Sequence, residues 1–266
     1  NRVYCLSVTN TENEFKGRPS SNSSAIDKLA FGDQEMDQTP ELVIVSAGNI
    51  SIYNDNDYPI LNQESSIQDP AQAFNALSIG GLTRKQIISL PGYSPLADNG
   101  GLSPFSSTSY NWEEKQWPNK PDLVFEAGNA ATDGHFVNQH EELTPISISN
   151  DPNIQPFIPF GGTSCAAALA SKMAAELRNR YPEYWPETIR ALLVHSADWT
   201  DAMKVGVNFA SSQHCKSLLR QFGYGSPVFS KAIESANNSL TLILEEELSP
   251  YKNEGSDIKY NEYHLV

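Results

Sequence analysis

The amino-acid sequence predicts an α/β fold: a doubly wound, mostly parallel sheet carried by residues 1–236, followed by a strand-rich tail over 237–266. Three observations predict it. Short apolar runs bounded by turn residues recur at 2–8, 42–47, 76–80 and 122–125, the pattern of strands buried on both faces. The first two runs are separated by enough chain for the helical crossover that joins parallel neighbours, a connection that almost always has one hand. After Gly161-Gly162, residues Ala166, Leu169, Ala170, Met173, Ala174 and Leu177 recur at helical spacing, predicting a helix over about 164–180.

The elements follow in chain order. Between the first two strands, Ile26, Leu29 and Ala30 share one helix face, and Ser20 to Ser24 supply N-cap oxygens. The third strand follows a short helical start at Asp69-Pro70-Ala71-Gln72-Ala73-Phe74, with Pro early in the helix. Residues 83–121 are rich in Ser, Pro, Gly and Asn, which predicts a functional surface loop or a set of short elements. The first two turns of the 164–180 helix, Cys165 to Ala170, are small and apolar all round, which predicts that this end is surrounded by protein. A second helix starts at Pro186 and carries Ile189, Leu192, Leu193 and Ala197 on one face. Leu240 to Leu248 and Tyr260 to Val266 read as strands, either an appended segment or a closing hairpin.

The 266 residues hold 32 acidic and 18 basic side chains, a formal charge of −14, and the pI is near 4.7. With no basic run, this argues against nucleic acid or an anionic membrane surface as the main partner; a neutral or cationic ligand fits, and so does plain solubility. No apolar stretch reaches the roughly 18–20 residues of a membrane span. The three cysteines, Cys5, Cys165 and Cys215, are too few and too scattered for a disulfide framework or a metal site, so reduced thiols and a cytoplasmic compartment are expected. The chain opens at Asn1 directly into an apolar run, which leads us to expect an upstream segment and leaves secretion open.

Chemistry centres on Ser164. It follows Gly161-Gly162-Thr163 at the first turn of a helix, where backbone N–H groups lack partners and the helix end is partly positive. A hydroxyl there is placed to attack a carbonyl, and the neighbouring amides to hold the resulting oxyanion. Taken alone, Gly-Thr-Ser before a helix is an ordinary N-cap. Asn49, after Gly48, is on its own an ordinary turn residue.

The longer pattern shifts that balance. Gly-Gly-Thr-Ser-Cys-Ala-Ala, then a small-residue helix, then Trp185-Pro186-Glu187-Thr188-Ile189-Arg190-Ala191-Leu192-Leu193, resembles the nucleophile helix and following helix of the subtilisin-like serine peptidases, the subtilases. Val43 to Asn49 resembles the family strand ending in Ala-Gly-Asn. Ala76 to Gly81, Pro104-Phe105-Ser106-Ser107 and Lys120-Pro121-Asp122-Leu123-Val124 are looser matches. The resemblance spans about 2–236. It implies a peptidase of subtilisin-like fold in which Ser164 is the nucleophile and Asn49 an oxyanion donor. It also implies that Ser7, Val8 and Thr9 form the segment pairing with an extended peptide. Ser46, Ala47 and Gly48 would form one wall of the first specificity pocket, with Gly162 and Thr163 beside the substrate. The expected partner is a protein or peptide. No organic cofactor is implied and no metal site is readable; calcium enters only through the family, with no loop assigned.

Three departures stand out. Ala168 replaces the family Pro after the nucleophile, and Glu126-Ala127-Gly128 stands where Ala-Pro-Gly is usual. No Asp-Ser-Gly, Asp-Thr-Gly or His-Gly-Thr occurs anywhere in the 266 residues. In family order the catalytic Asp and His precede the oxyanion Asn, so they are expected upstream of residue 1, with this stretch inactive alone. Local substitutes read as structural: Asp133-Gly134-His135 as a turn, His140 and His214 as loop residues, His195 as a packed or capping histidine. The competing reading is a pseudoprotease or peptide-binding module of the same fold. An α/β-hydrolase would need a Gly-x-Ser-x-Gly elbow that Gly162-Thr163-Ser164-Cys165-Ala166 lacks. Cys165 reads as a small buried residue rather than a nucleophile.

Overall fold

A computed structural model describes residues 2–11, 15–32, 39–112, 117–237 and 243–246. Its centre is a mixed, mostly parallel sheet built from β1 (Val3–Leu6), β2 (Leu42–Ser46), β3 (Leu77–Thr83), β4 (Gly101–Leu102) and β5 (Leu123–Glu126). β1 runs parallel to β2, β2 to β3, and β3 to β5, while β4 pairs antiparallel with the end of β3. All of β2 and β3 is buried, which explains why their sequences lack alternation.

Helices cover both faces. On one lie α2 (Thr163–Arg180) and α3 (Pro186–His195); on the other lie α1 (Ser21–Phe31) and α4 (Ser212–Phe222). Leu42, Ile44, Leu77, Ile79 and Leu123 pack against Ala166, Ala170, Ala174 and Leu177 of α2 and Ile189 and Leu193 of α3. Alanines let α2 lie close to the sheet. The alternate residues Val43 and Val45 face Ala30 of α1 and Trp112, and Leu82 and Val124 face Met203, Leu218 and Phe222. The doubly wound arrangement is therefore present, with each strand's two faces packed on different helices.

Local chemistry accounts for the helix ends. Ser20 caps α1 with a reciprocal capping box: its hydroxyl accepts from Ser23 N–H, and the Ser23 hydroxyl accepts from Ser20 N–H. α2 carries Arg178 and Arg180 in its last turn, favourable against the helix dipole, and ends before Pro182. Pro186 opens α3 with Glu187 in the first turn. A fifth helix, α5 (Phe229–Asn237), follows α4.

Several expectations are corrected. Residues 69–74 form turns rather than a helical start, because the buried Asp69 carboxylate accepts from Ser20, Asn22 and Gln72 side chains and holds the segment locally. The start of α2 is enclosed only in part: Cys165, Ala166 and Ala167 are buried, but Ala168 and Leu169 are exposed. Ala197 lies beyond α3, in a two-residue strand. The 83–121 region resolves into short strands and a buried serine-rich segment, with Ser103, Ser106, Ser107 and Ser109 all inaccessible. Of the tail, residues 243–246 are described and are not strand; the other expected strand residues in 239–266 lie outside the described residues.

Candidate active site

The strand ends on one side of the sheet build the site. β2 continues into Ala47-Gly48-Asn49, held by Ala47 N–H donating to Ile79 O at 2.8 Å. The Phe105-Ser106-Ser107 segment lies alongside. Ile50 N–H donates to Phe105 O at 3.0 Å, and the Ser107 hydroxyl donates to Ala47 O at 2.8 Å and to Gly48 O at 3.1 Å. Gly48 has φ +108, a strained conformation for any residue with a Cβ, and lies against the Gln68 side chain, which a Cβ 2.4 Å from Gln68 Cδ would displace.

From the opposite side, β5 leads to Ala127, whose carbonyl accepts from Gly162 N–H at 2.7 Å. Gly162, with φ +80, is the N-cap of α2, so Thr163 and Ser164 are its first helical residues. The Asn49 side chain closes the two halves together. Its Oδ1 accepts from Thr163 N–H at 2.7 Å and from the Thr163 hydroxyl at 3.0 Å, while Gly48 N–H lies 3.1 Å from Thr163 Oγ1. Thr163 is fully buried and acts as the lock between the Asn49 turn and the Ser164 turn.

This has two electrostatic consequences. With Oδ1 committed, the Asn49 carboxamide is oriented, and Nδ2 has no acceptor among the described residues. Ser164 N–H, a first-turn amide, likewise has none. Ser164 itself is half-buried and Asn49 exposed.

The remaining expected residues fall around this core. Ser7 and Val8 are exposed just past β1, and half-buried Thr9 donates its hydroxyl to Gln68 Oε1 at 2.6 Å. Gln68 Nε2 donates to Asn49 O at 2.8 Å. Ser46 and Ala47 are buried beneath the turn. Gln68 carries no motif signal, so the sequence offered no route to it; Ser107 was visible only as part of a loose Phe-Ser-Ser match.

No histidine among the described residues hydrogen-bonds Ser164. His135 lies in the turn after Thr132, in which its own N–H donates to the Asp133 carboxylate at 2.9 Å. His140 caps a short 3₁₀ turn, accepting from Glu142 N–H. His214 belongs to the first turn of α4 rather than to a loop, its Nδ1 accepting from Asn208 N–H. His195 is exposed at the end of α3, neither packed nor capping as expected. Cys165 is buried beside Ser164, and burial, aided by the Glu126 charge, raises its thiol pKa, so it stays protonated near neutrality. All three cysteines are free thiols.

The family model described as the subtilase family matches residues 1–225. The chain belongs to the subtilase family. No curated protein matches it at a significant level. Among solved structures, this subtilase is similar to the prenylagaramide maturation protease PagA, at 17% identity and a TM-score of 0.49 over 87% of this chain and 60% of that one. It is also similar to MycP1 from Mycobacterium smegmatis, at 20% identity and a TM-score of 0.40 over 82% of this chain and 46% of that one. A serine protease MycP1 described as an essential component of the type VII (ESX-1) secretion system matches at 21% identity and a TM-score of 0.37, over 73% of this chain and 43% of that one. The chain thus spans between 43% and 60% of the lengths of these three proteins.

As a subtilase, the chain has a mixed α/β fold. Among the described residues no group of three or more His, Cys, Asp or Glu is placed to hold a metal ion. No helix among them is long and apolar enough to cross a membrane.

Proposed function

We propose that the complete protein is a serine endopeptidase that hydrolyses peptide bonds with Ser164 as nucleophile. The observation carrying this reading is the commitment of Asn49 Oδ1 to Thr163 N–H and Oγ1, which leaves Asn49 Nδ2 and Ser164 N–H as unpaired donors beside the serine. In the proposed step Ser164 Oγ bonds to the scissile carbonyl carbon while its proton passes to a general base. The carbonyl oxygen becomes an oxyanion received by the two donors. Collapse breaks the C–N bond, the amine leaves with the proton, and water then hydrolyses the acyl-enzyme by the same route in reverse.

The base and its carboxylate partner are proposed to come from outside these 266 residues. The Asp-(Ser/Thr)-Gly and His-Gly-Thr motifs do not occur in the chain, and a serine without a base is a weak nucleophile. The 1–236 stretch would then be the C-terminal portion of a catalytic domain, with 237–266 beginning an appended segment. The substrate is a protein or peptide, bound extended along Ser7 to Thr9.

Fluorophosphonate labelling of the complete protein tests this. An adduct on Ser164 that is absent in Ser164→Ala is expected; folded protein with no adduct would overturn the peptidase reading in favour of the peptide-binding module. The isolated 266-residue stretch is expected to label far more slowly.

A further inference from the structure

A cavity of about 420 Å³ lies on the α4 side of the sheet, and none of Asn49, Thr163 or Ser164 lines it. Its apolar wall is made by Leu96, Leu102, Met203, Val207, Leu218 and Phe222, contributed chiefly by β4, the one-turn helix Asp201–Lys204 and α4. Met203, Leu218 and Phe222 also pack on Leu82 and Val124, so the sheet backs this wall. The volume falls within the roughly 300–1,000 Å³ of small-ligand sites.

Most polar groups on the wall are occupied by protein partners. The Tyr58 hydroxyl donates to Leu102 O at 2.8 Å, and burial, aided by the Asp98 charge, pushes its phenol pKa up, so it stays a donor. Gln63 Nε2 donates to Gln221 Oε1 at 3.1 Å, and Gln221 Nε2 to Ser217 O at 3.2 Å. His214 Nδ1 accepts from Asn208 N–H at 3.1 Å. Asp98 differs. It is the one carboxylate among the lining residues, no Lys or Arg lines the cavity with it, and its carboxylate has no hydrogen-bond or ion-pair partner among the described residues. The nearby Lys204 ammonium, next to Met203, is taken by Asp201 at 2.9 Å.

What remains open is an apolar space with one uncompensated negative charge and two tyrosine rings, Tyr58 and Tyr110. A cation on an apolar stem suits it: the carboxylate pairs with the head, the ring faces attract it, and the walls cover the methylenes. Tyr110, Val205 and His214 of the lining are exposed, so the cavity opens outward, and a side chain can enter while the backbone carrying it stays outside. The chain's formal charge of −14 favours the approach of a basic partner. We infer that this cavity is a recognition site, separate from the Ser164 turn, that takes the side chain of an Arg or Lys residue presented by a peptide or protein, with Asp98 as its counter-charge. It requires no chemistry at Ser164 and stands whether or not the complete protein is a peptidase.

The test is calorimetric titration of the complete protein, carrying Ser164→Ala so that no peptide is cleaved. The probes are two blocked pentapeptides with four Gly and a central Arg or its neutral isostere citrulline. The Arg peptide is expected to bind at least about 10-fold more tightly than the citrulline peptide, the worth of one charge-assisted pair. The preference should weaken as salt is raised, because Asp98 is exposed. Adding Asp98→Asn should abolish it. Ser217→Phe, which fills the cavity from α4 and leaves the charge in place, should weaken the Arg peptide by a similar factor. Butylguanidinium, the side chain alone, should compete with the Arg peptide. Equal affinity for the two peptides, or a preference unmoved in folded Asp98→Asn, would overturn the inference. Butylguanidinium binding that depends on Asp98, with no binding of the Arg peptide, would also overturn it, in favour of a free small cation.

Discussion

At Asn49 the two ends of one carboxamide have different environments: the oxygen is held by Thr163, and the nitrogen is open. Replacing Asn49 by Ala removes a donor and also unlocks Thr163. On the proposed reading, kcat of the complete protein is expected to fall by about 10²–10³, the magnitude associated with losing one oxyanion donor, as in subtilisin, with a smaller change in KM. Gly162 is equally constrained. At φ +80 and ψ −178 it occupies a region that residues with a Cβ avoid, and its Cβ would stand 2.7 Å from Asn49 Oδ1. Gly162→Ala is expected to cost about 1–3 kcal/mol in urea unfolding and to reduce fluorophosphonate labelling even where the protein remains folded. Farther from the site, Asp133 accepts N–H bonds from Phe136 and His135, which hold its carboxyl below the usual value of 3.8. Because the folded pKa is depressed, the stabilisation of this turn is present above pH 3.8 and lost as pH falls through the lowered value. Amide exchange at Phe136 should accelerate in acid beyond its intrinsic dependence, and should lose that dependence in Asp133→Ala.

Among the elements, α1, α2 and α3 were legible because a 3.6-residue apolar period and cap chemistry are local properties. Ser20→Ala tests the α1 cap and is expected to lower stability by about 1 kcal/mol, measured as a shift in the urea midpoint. Leu177, fully buried on the sheet side of α2, should cost about 2–5 kcal/mol when changed to Ala. The same periodic reading failed where tertiary partners decide. Composition alone placed all of Cys165 to Ala170 inside, yet Ala168 and Leu169 point away from the sheet and are exposed, since nothing among the described residues packs there. The Asp69 to Phe74 segment has a helix-like opening, but the demand of a buried carboxylate for three side-chain donors folds it into turns.

At the scale of the molecule, one buried charge cluster joins elements distant in sequence. Lys120 Nζ is 2.7 Å from Asp122 Oδ2 and donates to Ala76 O at 3.0 Å; Arg190 from α3 lies 3.6 Å from the other Asp122 oxygen. Asp122 also accepts from Ser78 N–H at 2.7 Å, so it ties the approach to β5 to β3. Removing the carboxylate with Asp122→Ala strands a buried ammonium, and a loss of about 3–5 kcal/mol is expected in equilibrium unfolding. Lys120-Pro121-Asp122 was visible in the sequence only as a family-like string; burial gives it a physical role.

The sequence by itself determined β1, β2, β3 and β5, helices α1 to α3 and the subtilase resemblance, because apolar periodicity, caps and glycine-rich turns are written in neighbouring residues; α4, α5 and the short strands were not read from it. Tertiary structure alone decided that Thr163 locks Asn49 to the Ser164 turn and that Gln68 lies across Gly48 between Thr9 and Asn49. Those contacts join residues far apart in the chain, and hydrogen-bond geometry between them exists only once the sheet has brought β1, β2 and α2 side by side.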